Sequence, residues 1–510
     1  MEDKKRLGIN LIAQLFAFAV GFVINFFLAP FVINRLGTEA YGFIGLANNF
    51  VSYTTLITIA LNSMAARFIT VSFHKGDIEL ANKYFVSVYY SNLFLALIIA
   101  LFAVFTVVFL NYIIHIPQHL VWDVKLLFGL TFLNSIIALT SNIYLVATFI
   151  KNRLDLTSIR NIISNLLKVL CVITPFLLFA PHLWYYGISA LAATVFVAIT
   201  NRILTKKLLP DLKINKSLYN FKLVKELIFS GAWNLLSKLG EILSTGLDLL
   251  LANLFISSMA MGQFSISKTV PLFIISFCGS VASVFAPKLT ELYAKGKSEV
   301  LRDELLNNIK IMSVFSVLPL LTFLILGEDF FRLWVPEQDC HVLYVISSIT
   351  VCGLLISMPQ ESLWNIFTIT NKVKNVSIVL IGFHILIFSA IIFGVSYFND
   401  EYSQLISFVV ARFIGGTIMS LTFLPVYGAK CLNFKWNTFY PMIFKNLFLS
   451  VSVTVCFIIL KKYFIIHNWI SFIVSATVIC FVTAVLMGFF ILNKNQKANI
   501  FYRAKYFFEK

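Results

Sequence analysis

The sequence predicts an all-α polytopic membrane protein. We expect fourteen transmembrane helices, arranged as two parallel six-helix lobes related by pseudo-two-fold symmetry plus two C-terminal helices. Three observations support this class. Of the 510 residues, 59% are hydrophobic and 12% are charged, whereas a soluble domain carries about 25% charged residues. Apolar runs of bilayer length recur along the chain, and its two halves share a weak internal repeat.

The predicted spans are apolar runs that each reach the roughly 17–25 residues needed to cross a bilayer. The first run is much longer than the ~7–15-residue apolar core of a secretory signal, so we interpret it as a retained span. The connections are short and leave no segment that could form a soluble domain. In chain order the runs occupy residues 7–34, 43–66, 85–112, 124–149, 161–180, 183–205, 231–255, 263–286, 309–327, 342–369, 375–397, 403–428, 439–460 and 468–492.

The basic residues predict the orientation of these spans. With the N-terminus inside, the cytoplasmic segments hold 30 Lys and Arg residues and the outer loops hold 4. Cytoplasmic loops of membrane proteins carry such an excess. We therefore expect a multi-pass protein of the cell (inner, cytoplasmic) membrane with both termini in the cytoplasm. The net charge of +17 is then a topology signal, and we expect no nucleic acid as a partner.

An internal repeat predicts the domain organisation. At an offset of 220 residues, Gly42–Glu79 aligns with Gly262–Glu299 without a gap, and 7 of the 38 positions are identical. Six predicted spans separate the copies, and an even number gives parallel repeats, a transporter architecture with the substrate bound between the halves. The predicted domains are an N-terminal lobe with spans 1–6 (1–217), a C-terminal lobe with spans 7–12 (218–430), and two additional spans with a basic interfacial tail (431–510).

The seventh run carries charges that a bilayer disfavours. Lys238, Glu241 and Asp248 would each cost about 2.5–3.5 kcal/mol at the centre of a membrane. On one continuous helix these residues share a face with Asn234 and Thr245. We therefore predict a polar stripe that faces the protein interior or water.

Other predicted spans also carry deep polar groups. Two interpretations stay open: interhelical ion pairs, such as one between Asp248 and Lys268, or the lining of a hydrated cavity with a slight basic excess. Intramembrane charges are often functional. The Cys and His residues lack metal-ligand spacing, so we expect no cofactor or metal. The sequence has no Walker A motif, so we expect energy from a proton or sodium gradient or from the gradient of the substrate itself. The further deep groups are Asn48, Lys168, Lys268, Glu361, His384 and Arg412.

Two segments resemble a known family. These are NFFLAPFVINRLGTEAYGFIGLANNF (Asn25–Phe50) and SGAWNLLSKLGEILSTGLDLLLANLF (Ser230–Phe255). They resemble the openings of the two halves of bacterial polysaccharide or O-antigen (Wzx-type) flippases, in the multidrug/oligosaccharidyl-lipid/polysaccharide exporter superfamily. The resemblance implies alternating-access transport of an undecaprenyl-pyrophosphate-linked oligosaccharide from the inner to the outer leaflet, and no enzymatic activity.

The resemblance also implies roles for the deep polar groups. Basic residues would hold the pyrophosphate, and the extra C-terminal helices would help to form a groove for the lipid tail. We expect membrane lipids and this substrate as partners, contacts with a polysaccharide polymerase or assembly machinery, and a monomer. The predicted substrate-binding residues are Lys238, Lys268, Arg412, Asn48 and Asn234. The predicted ion-coupling residues, which can exchange a proton, are Glu241, Asp248, Glu361 and His384.

Rival functions remain at this point. A multidrug or cation antiporter of the same superfamily would usually have twelve spans and an acidic cavity. A membrane glycosyltransferase or polysaccharide polymerase would need a sizeable outer loop, and the longest outer stretches, near 113–123 and 328–341, are short. A passive scaffold or receptor would not require the deep charges.

Overall fold

The protein is helical throughout the part of the chain that the structure describes. The structure is a computed structural model that describes residues 2–151, 153–370, 372–461 and 464–491. Within those ranges it contains α-helices, short 3-10 and π-helical turns, and no strand. The all-α prediction is therefore confirmed. The basic tail expected at the C-terminus lies outside the described residues.

The chain forms two compact units, at residues 1–265 and 266–510. The predicted domain boundaries follow a sequence repeat rather than contacts, and they stay predictions. The helices of the first unit are α1 (Glu2–Leu36), α2 (Thr38–His74), α3 (Ile78–Val108), α4 (Leu110–Ile113), α5 (Val121–Asn142), α6 (Val146–Ile150), α7 (Leu154–Leu178), α8 (Trp184–Leu208), α9 (Phe221–Glu241), α10 (Asp248–Phe255) and α11 (Ser258–Ser267), which runs into the second unit. The second unit holds α12 (Thr269–Ser283), α13 (Ala286–Ala294), α14 (Ser298–Trp334), α15 (Cys340–Ser357), α16 (Trp364–Ile369), α17 (Val373–Tyr397), α18 (Glu401–Ile418), α19 (Leu424–Cys431), α20 (Tyr440–Leu460) and α21 (Trp469–Ile491).

The number of spans is close to the predicted fourteen, but that count is not confirmed. Among the described residues, 12 helical segments are long and apolar enough to cross a membrane, and α11 with α12, bent by 40°, would make a thirteenth. The predicted seventh span does not qualify. It is divided into α9 and α10 by a π-helical turn, and it carries the three charges that oppose insertion.

The first unit is built around α2, α5 and α8. Helix α2 packs against α3 and α9, α5 packs against α3 and α8, and α7 packs against α1 and α8. At one end of these helices, buried apolar residues from α2, α3, α6, α9 and the chain after α8 form a core that includes Ile69, Phe85, Val146, Leu209 and Leu227. This core fixes the loop after α8 on the helix bundle.

The second unit is built around α14. This helix packs against α15, the 3-10 turn Met358–Leu363, α20 and α21. Its buried residues occur on every side of the helix, as in the fully buried run Leu324–Gly327, which is the pattern of a helix enclosed by others. The two C-terminal helices therefore complete the packing around α14.

The outer surface of the helices is apolar. On α3, Phe94, Leu97, Leu101 and Phe105 follow helical spacing and are 58–66% exposed. Soluble monomers rarely expose contiguous apolar patches of this kind, whereas lipid chains cover such a stripe. The chain is therefore a multi-pass membrane protein, as the composition predicts.

The repeat found in the sequence is reproduced in local structure. Gly76, after α2, has φ +82°, and the aligned Gly296, after α13, has φ +66°. Both follow a lysine and both adopt the left-handed conformation that favours glycine at the end of a helix. The aligned pair Gly42 and Gly262 are in direct contact within the first unit, since a Cβ on Gly42 would lie 2.8 Å from the Gly262 Cα.

Aspartate side chains start several helices. Asp77, Asp339 and Asp400 precede α3, α15 and α18, and each carboxylate accepts a backbone N–H of the first turn at 2.8–3.1 Å. Such N-caps satisfy donors that have no partner within the helix. The bond from the Ser403 N–H also lowers the pKa of the Asp400 carboxyl. The sequence thus sets where these helices begin.

Candidate functional site

The charged segment of the first unit is not one straight helix. Helix α9 ends at Glu241 and α10 begins at Asp248, and the π-helical turn Ile242–Gly246 lies between them. The Leu247 N–H donates to the Ile242 carbonyl at 3.1 Å, five residues back. A π-turn inserts one extra residue and rotates the next part of the helix by about 100°. The predicted single stripe is therefore broken before Asp248.

Helix α2 holds this turn in place. The Tyr53 hydroxyl donates to the Gly246 carbonyl at 2.7 Å, so a carbonyl in the irregular turn has a partner. Before the π-helical turn, α9 approaches α2 so closely that a Cβ on Gly231 would lie 1.9 Å from the Ala60 carbonyl oxygen. Glycine permits this backbone contact between two helices.

The polar groups of α9 have defined partners. The Lys238 Nζ lies 2.7 Å from the Glu241 Oε1, and the Glu241 side chain is 63% exposed. The Asn234 amide donates to the Ser63 hydroxyl of α2 at 3.0 Å. Lys238 and Glu241 therefore form a neutral pair, and an anion that binds Lys238 has to compete with Glu241.

The two remaining predicted residues of this unit differ in exposure. Asp248 is 3% exposed. Asn48 lies on α2 with an exposed side chain. The π-turn explains the contrast between Glu241 and Asp248, because it turns the second carboxylate onto the packed face.

In the second unit, Lys268 lies at a break between α11 and α12. The physical cause is Pro271, which has no N–H to donate to the carbonyl of Ser267. The Ser347 hydroxyl of α15 lies 2.8 Å from that carbonyl and 2.7 Å from the Leu343 carbonyl of its own helix, so its single hydrogen is shared between the two. A side chain of a neighbouring helix thus supplies a hydrogen bond that the proline removes, and the half-buried Lys268 is held at the break.

Glu361 lies on the 3-10 turn that interrupts the span 340–369. Its side chain is half-buried, and within the described ranges it makes no ion pair; in particular, no salt bridge joins it to Arg412. The adjacent Gln360 and Ser362 are fully buried, and the Gln360 Oε1 and Ser362 Oγ have no hydrogen-bond partner among the described residues. The turn therefore presents one carboxylate and two unsatisfied oxygens.

Helices α17 and α18 carry His384 and Arg412. His384 is buried, and its Nδ1 lies 2.6 Å from the Leu380 carbonyl one turn earlier. Arg412 is half-buried. It follows Ala411, which lines a cavity of about 680 Å³ between the two helices.

This α17–α18 cavity is almost entirely apolar. Its lining includes Leu386, Ala390 and Ile414. Leu386 and Ile414 are also exposed on the outer surface, so the cavity opens toward lipid. The Arg412 side chain is not part of this lining, so the cavity itself suits a hydrocarbon chain.

Some deep polar groups serve structure. The Lys168 amine donates to the Tyr186 hydroxyl at 2.8 Å and lies over the same ring. Asn62 of α2 and Asn92 of α3 exchange amide hydrogen bonds at 2.9 and 3.0 Å. Neither the asparagine pair nor the Tyr53 contact was predicted from the sequence. The signal in the sequence was an amide or hydroxyl side chain inside an apolar run.

Comparisons with known proteins add the family context. Residues 4–293 match the family described as "Polysaccharide biosynthesis protein". The chain is 28% identical over 501 residues to the uncharacterized membrane protein EpsK of Bacillus subtilis (strain 168), and the match covers 96% of this chain and 97% of EpsK.

Two solved structures share the fold. The lipid II flippase MurJ, in an inward closed conformation, is similar with a TM-score of 0.63 and 14% identity over 97% of this chain and 99% of MurJ. An inward-facing multidrug resistance transporter of the MATE family gives a TM-score of 0.62 and 14% identity over 84% of this chain and 97% of that protein. The matches confirm the resemblance carried by the two quoted segments.

Proposed function

Because the chain belongs to the polysaccharide biosynthesis protein family, we propose that it is a flippase for a lipid-linked oligosaccharide. Its substrate would be an undecaprenyl-pyrophosphate-linked repeat unit, moved from the cytoplasmic to the outer leaflet by alternating access. The protein would bind and release this substrate without making or breaking covalent bonds, and would therefore not be an enzyme.

The α17–α18 cavity, whose lining residue Ala411 precedes Arg412 on α18, is the observation that carries the proposal. The substrate combines a long hydrocarbon chain with a pyrophosphate. The apolar lining, open toward lipid, would accept part of the chain without leaving the membrane. Arginine keeps its charge and presents a planar fork that matches phosphate oxygens, so Arg412 would bind the pyrophosphate.

Two lysines would add further contacts to anionic groups. Lys268, at the break between α11 and α12, and Lys238, on α9, are two further half-buried cations within predicted spans, whereas the half-buried Lys168 donates to Tyr186. Asn234 and Asn48 carry amides that can hydrogen-bond to phosphate or sugar. Because Lys238 already pairs with Glu241, substrate binding there would release the Glu241 carboxylate.

The fold supports a flippase more than a multidrug antiporter. The likeness to the lipid II flippase extends over nearly the whole of both chains, whereas the MATE transporter accounts for less of this chain. The two matches differ in the share of this chain that they cover by about one eighth of the sequence. A lipid-linked substrate would also use an apolar cavity that opens toward lipid, which an organic-cation antiporter has no reason to retain.

Coupling to a proton or sodium gradient would use the carboxylates. Glu361 makes no ion pair within the described ranges and lies next to two unsatisfied oxygens. It can therefore gain or lose a cation without breaking a salt bridge. Asp248, which is buried, and His384 are further candidates. Glu241 would act indirectly, through Lys238.

We expect the protein in the cytoplasmic membrane with both termini inside, as a monomer that contacts a polymerase or other assembly machinery. In a variant without native cysteines, a cysteine at Asn399 should react with an impermeant thiol reagent in intact cells. One at Ser298 should not. Both positions are exposed in the structure. Labelling at Ser298 but not at Asn399 would show that the orientation is the opposite of the expected one.

A gene-disruption experiment tests the proposal in cells. Loss of the gene should accumulate lipid-linked oligosaccharide on the cytoplasmic side and remove the surface polysaccharide. Ala390→Phe, which fills the α17–α18 cavity, should fail to restore transport, whereas Ser389→Phe should restore it, since Ser389 is exposed and does not line the cavity. Unchanged surface polysaccharide and no accumulation after disruption would reject the flippase proposal.

A further inference from the structure

The first unit contains a polar cavity, outside the groups assigned above. It has a volume of about 410 Å³ and lies where the chain leaves α8. Arg202, Lys206 and Lys213 line it, together with the apolar side chains of Phe85 and Leu212. We call it the α8-end pocket. Its cations belong to two successive parts of the chain: Arg202 and Lys206 lie in the last turns of α8, and Lys213 lies in the following loop.

The three cations have no acidic partner. No Asp or Glu lines the α8-end pocket, and within the described ranges none of the three forms an ion pair. Asp211, the nearest acid in the sequence, is exposed and is not part of the lining. Three like charges around one cavity repel each other, and a bound anion would remove that repulsion.

The pocket is held rigid by buried side chains of α3. The Asn82 amide oxygen accepts the Lys213 N–H at 3.1 Å, and the Ser87 hydroxyl accepts the Asn220 N–H at 3.0 Å. Both acceptors are buried. The buried Thr205 hydroxyl of α8 donates to the Tyr144 carbonyl at 2.7 Å. The loop that carries Lys213 is therefore fastened to α3 at two points, and α8, which carries the other two cations, is bonded to the Tyr144 carbonyl.

We infer that the α8-end pocket binds the phosphate headgroup of an anionic phospholipid. The pocket lies at the end of a predicted span, at the level where headgroups occur. Basic pockets between transmembrane helices bind such groups. About 410 Å³ exceeds the roughly 30 Å³ of one water molecule many times, which leaves room for a phosphodiester with adjoining carbon atoms.

The apolar floor selects a lipid over a free anion. Phe85 and Leu212 belong to the buried core at this end of the unit. Inorganic phosphate would meet the three cations but leave the apolar surface of the exposed lining residues Pro210 and Ile214 in contact with water. The glycerol and first chain carbons of a phospholipid would cover it. The site is thus independent of the transported substrate and of the proposed function.

The test is lipid binding by the purified full-length protein in detergent. Fluorescent phosphatidylglycerol and phosphatidylcholine are titrated onto the wild type and onto the triple variant Arg202→Gln, Lys206→Gln, Lys213→Gln. Each basic residue near an anionic lipid strengthens binding about fivefold, so the triple variant should bind phosphatidylglycerol on the order of 100-fold more weakly. If the triple variant does not fold, the three single variants test the inference instead, and each should bind phosphatidylglycerol about fivefold more weakly than the wild type.

A matched control separates a site from general surface charge. Lys207→Gln, Lys216→Gln, Lys222→Gln removes the same charge from exposed positions in the same region that do not line the pocket. It should keep tight phosphatidylglycerol binding. Equal losses in both triple variants, or no preference of the wild type for phosphatidylglycerol over phosphatidylcholine, would overturn the inference. Displacement of the lipid by millimolar inorganic phosphate would also overturn it, because it would show a free-anion site instead.

Discussion

The contact between α2 and α9 gives a sharp prediction at Gly231. Replacing Gly231 with alanine would add a Cβ 1.9 Å from the Ala60 carbonyl oxygen and 2.9 Å from the Ser63 hydroxyl. The first of these atoms is backbone and cannot rotate away. The two helices would therefore have to separate, which would also stretch the 3.0 Å hydrogen bond from Asn234 to Ser63.

The loss of stability expected for Gly231→Ala depends on the type of contact. Overpacking of a well-packed interface costs about 1–3 kcal/mol, and an immovable backbone neighbour favours the upper part of that range. Gly240, on the same helix, is the matched control, because nothing lies within 4 Å of a Cβ placed there. Alanine at Gly240 should stabilise the helix by about 0.5–1 kcal/mol. The two variants should thus differ by about 1.5–4 kcal/mol.

The assay is thermal unfolding of the purified protein in detergent, followed with a thiol-reactive dye. Gly231→Ala should unfold at a lower temperature than the wild type, and Gly240→Ala should unfold at the same or a higher temperature. A midpoint for Gly231→Ala equal to or above that of Gly240→Ala would refute the close approach of α2 and α9.

Three other substitutions test the site. Glu361→Gln should abolish the dependence of transport on an imposed proton or sodium gradient. Glu241→Gln removes an exposed, paired carboxylate and should slow transport by no more than about fivefold. Equal effects of the two substitutions would refute the different roles given to Glu361 and Glu241. Arg412→Ala should block delivery of surface polysaccharide while the protein stays inserted, and Arg412→Lys should restore only part of it; full transport by a stable alanine variant would contradict the phosphate role. Ser347→Ala removes the hydrogen bond at the α11–α12 break and should lower stability by about 1–3 kcal/mol in thermal unfolding, whereas Ser276→Ala, whose hydroxyl bonds only to its own helix, should change it by less than about 0.5 kcal/mol.

The lengths of the apolar runs and the positions of the glycines predicted most of the fold. Runs of bilayer length became helices because backbone polar groups in a bilayer must be satisfied within the segment. The aligned Gly76 and Gly296 both end helices with positive φ. These features depend on neighbours in the chain, so the sequence displays them directly.

The finer site geometry depended on contacts between distant residues. The bond from Tyr53 to the Gly246 carbonyl joins positions 193 residues apart, and it accompanies a π-turn that helical spacing does not reveal. The predicted stripe required a continuous helix, and it therefore placed Glu241 and Asp248 on one face, which the π-turn prevents. The Lys238–Glu241 pair, by contrast, is expected from a spacing of three residues along one helix.

The three-charge segment illustrates how local sequence and tertiary packing combine. Its charges are expensive for an isolated helix in lipid. In the folded protein Lys238 and Glu241 neutralise each other, and Asp248 is buried within the protein. The segment is therefore stabilised by its protein surroundings, which explains why it lacks the character of a lipid-exposed span and still belongs to the bundle.

Reconstitution of transport in vesicles is the decisive test of the flippase proposal. The purified protein is placed in vesicles that contain undecaprenyl-pyrophosphate-linked oligosaccharide from the producing cell, and the sugar exposed outside is followed with an impermeant reagent under an imposed ion gradient. We expect the wild type to make the inner-leaflet pool accessible, and Arg412→Ala, present in equal amount, to leave it protected. An inner-leaflet pool that stays protected with the wild-type protein, under both proton and sodium gradients, would contradict the proposal.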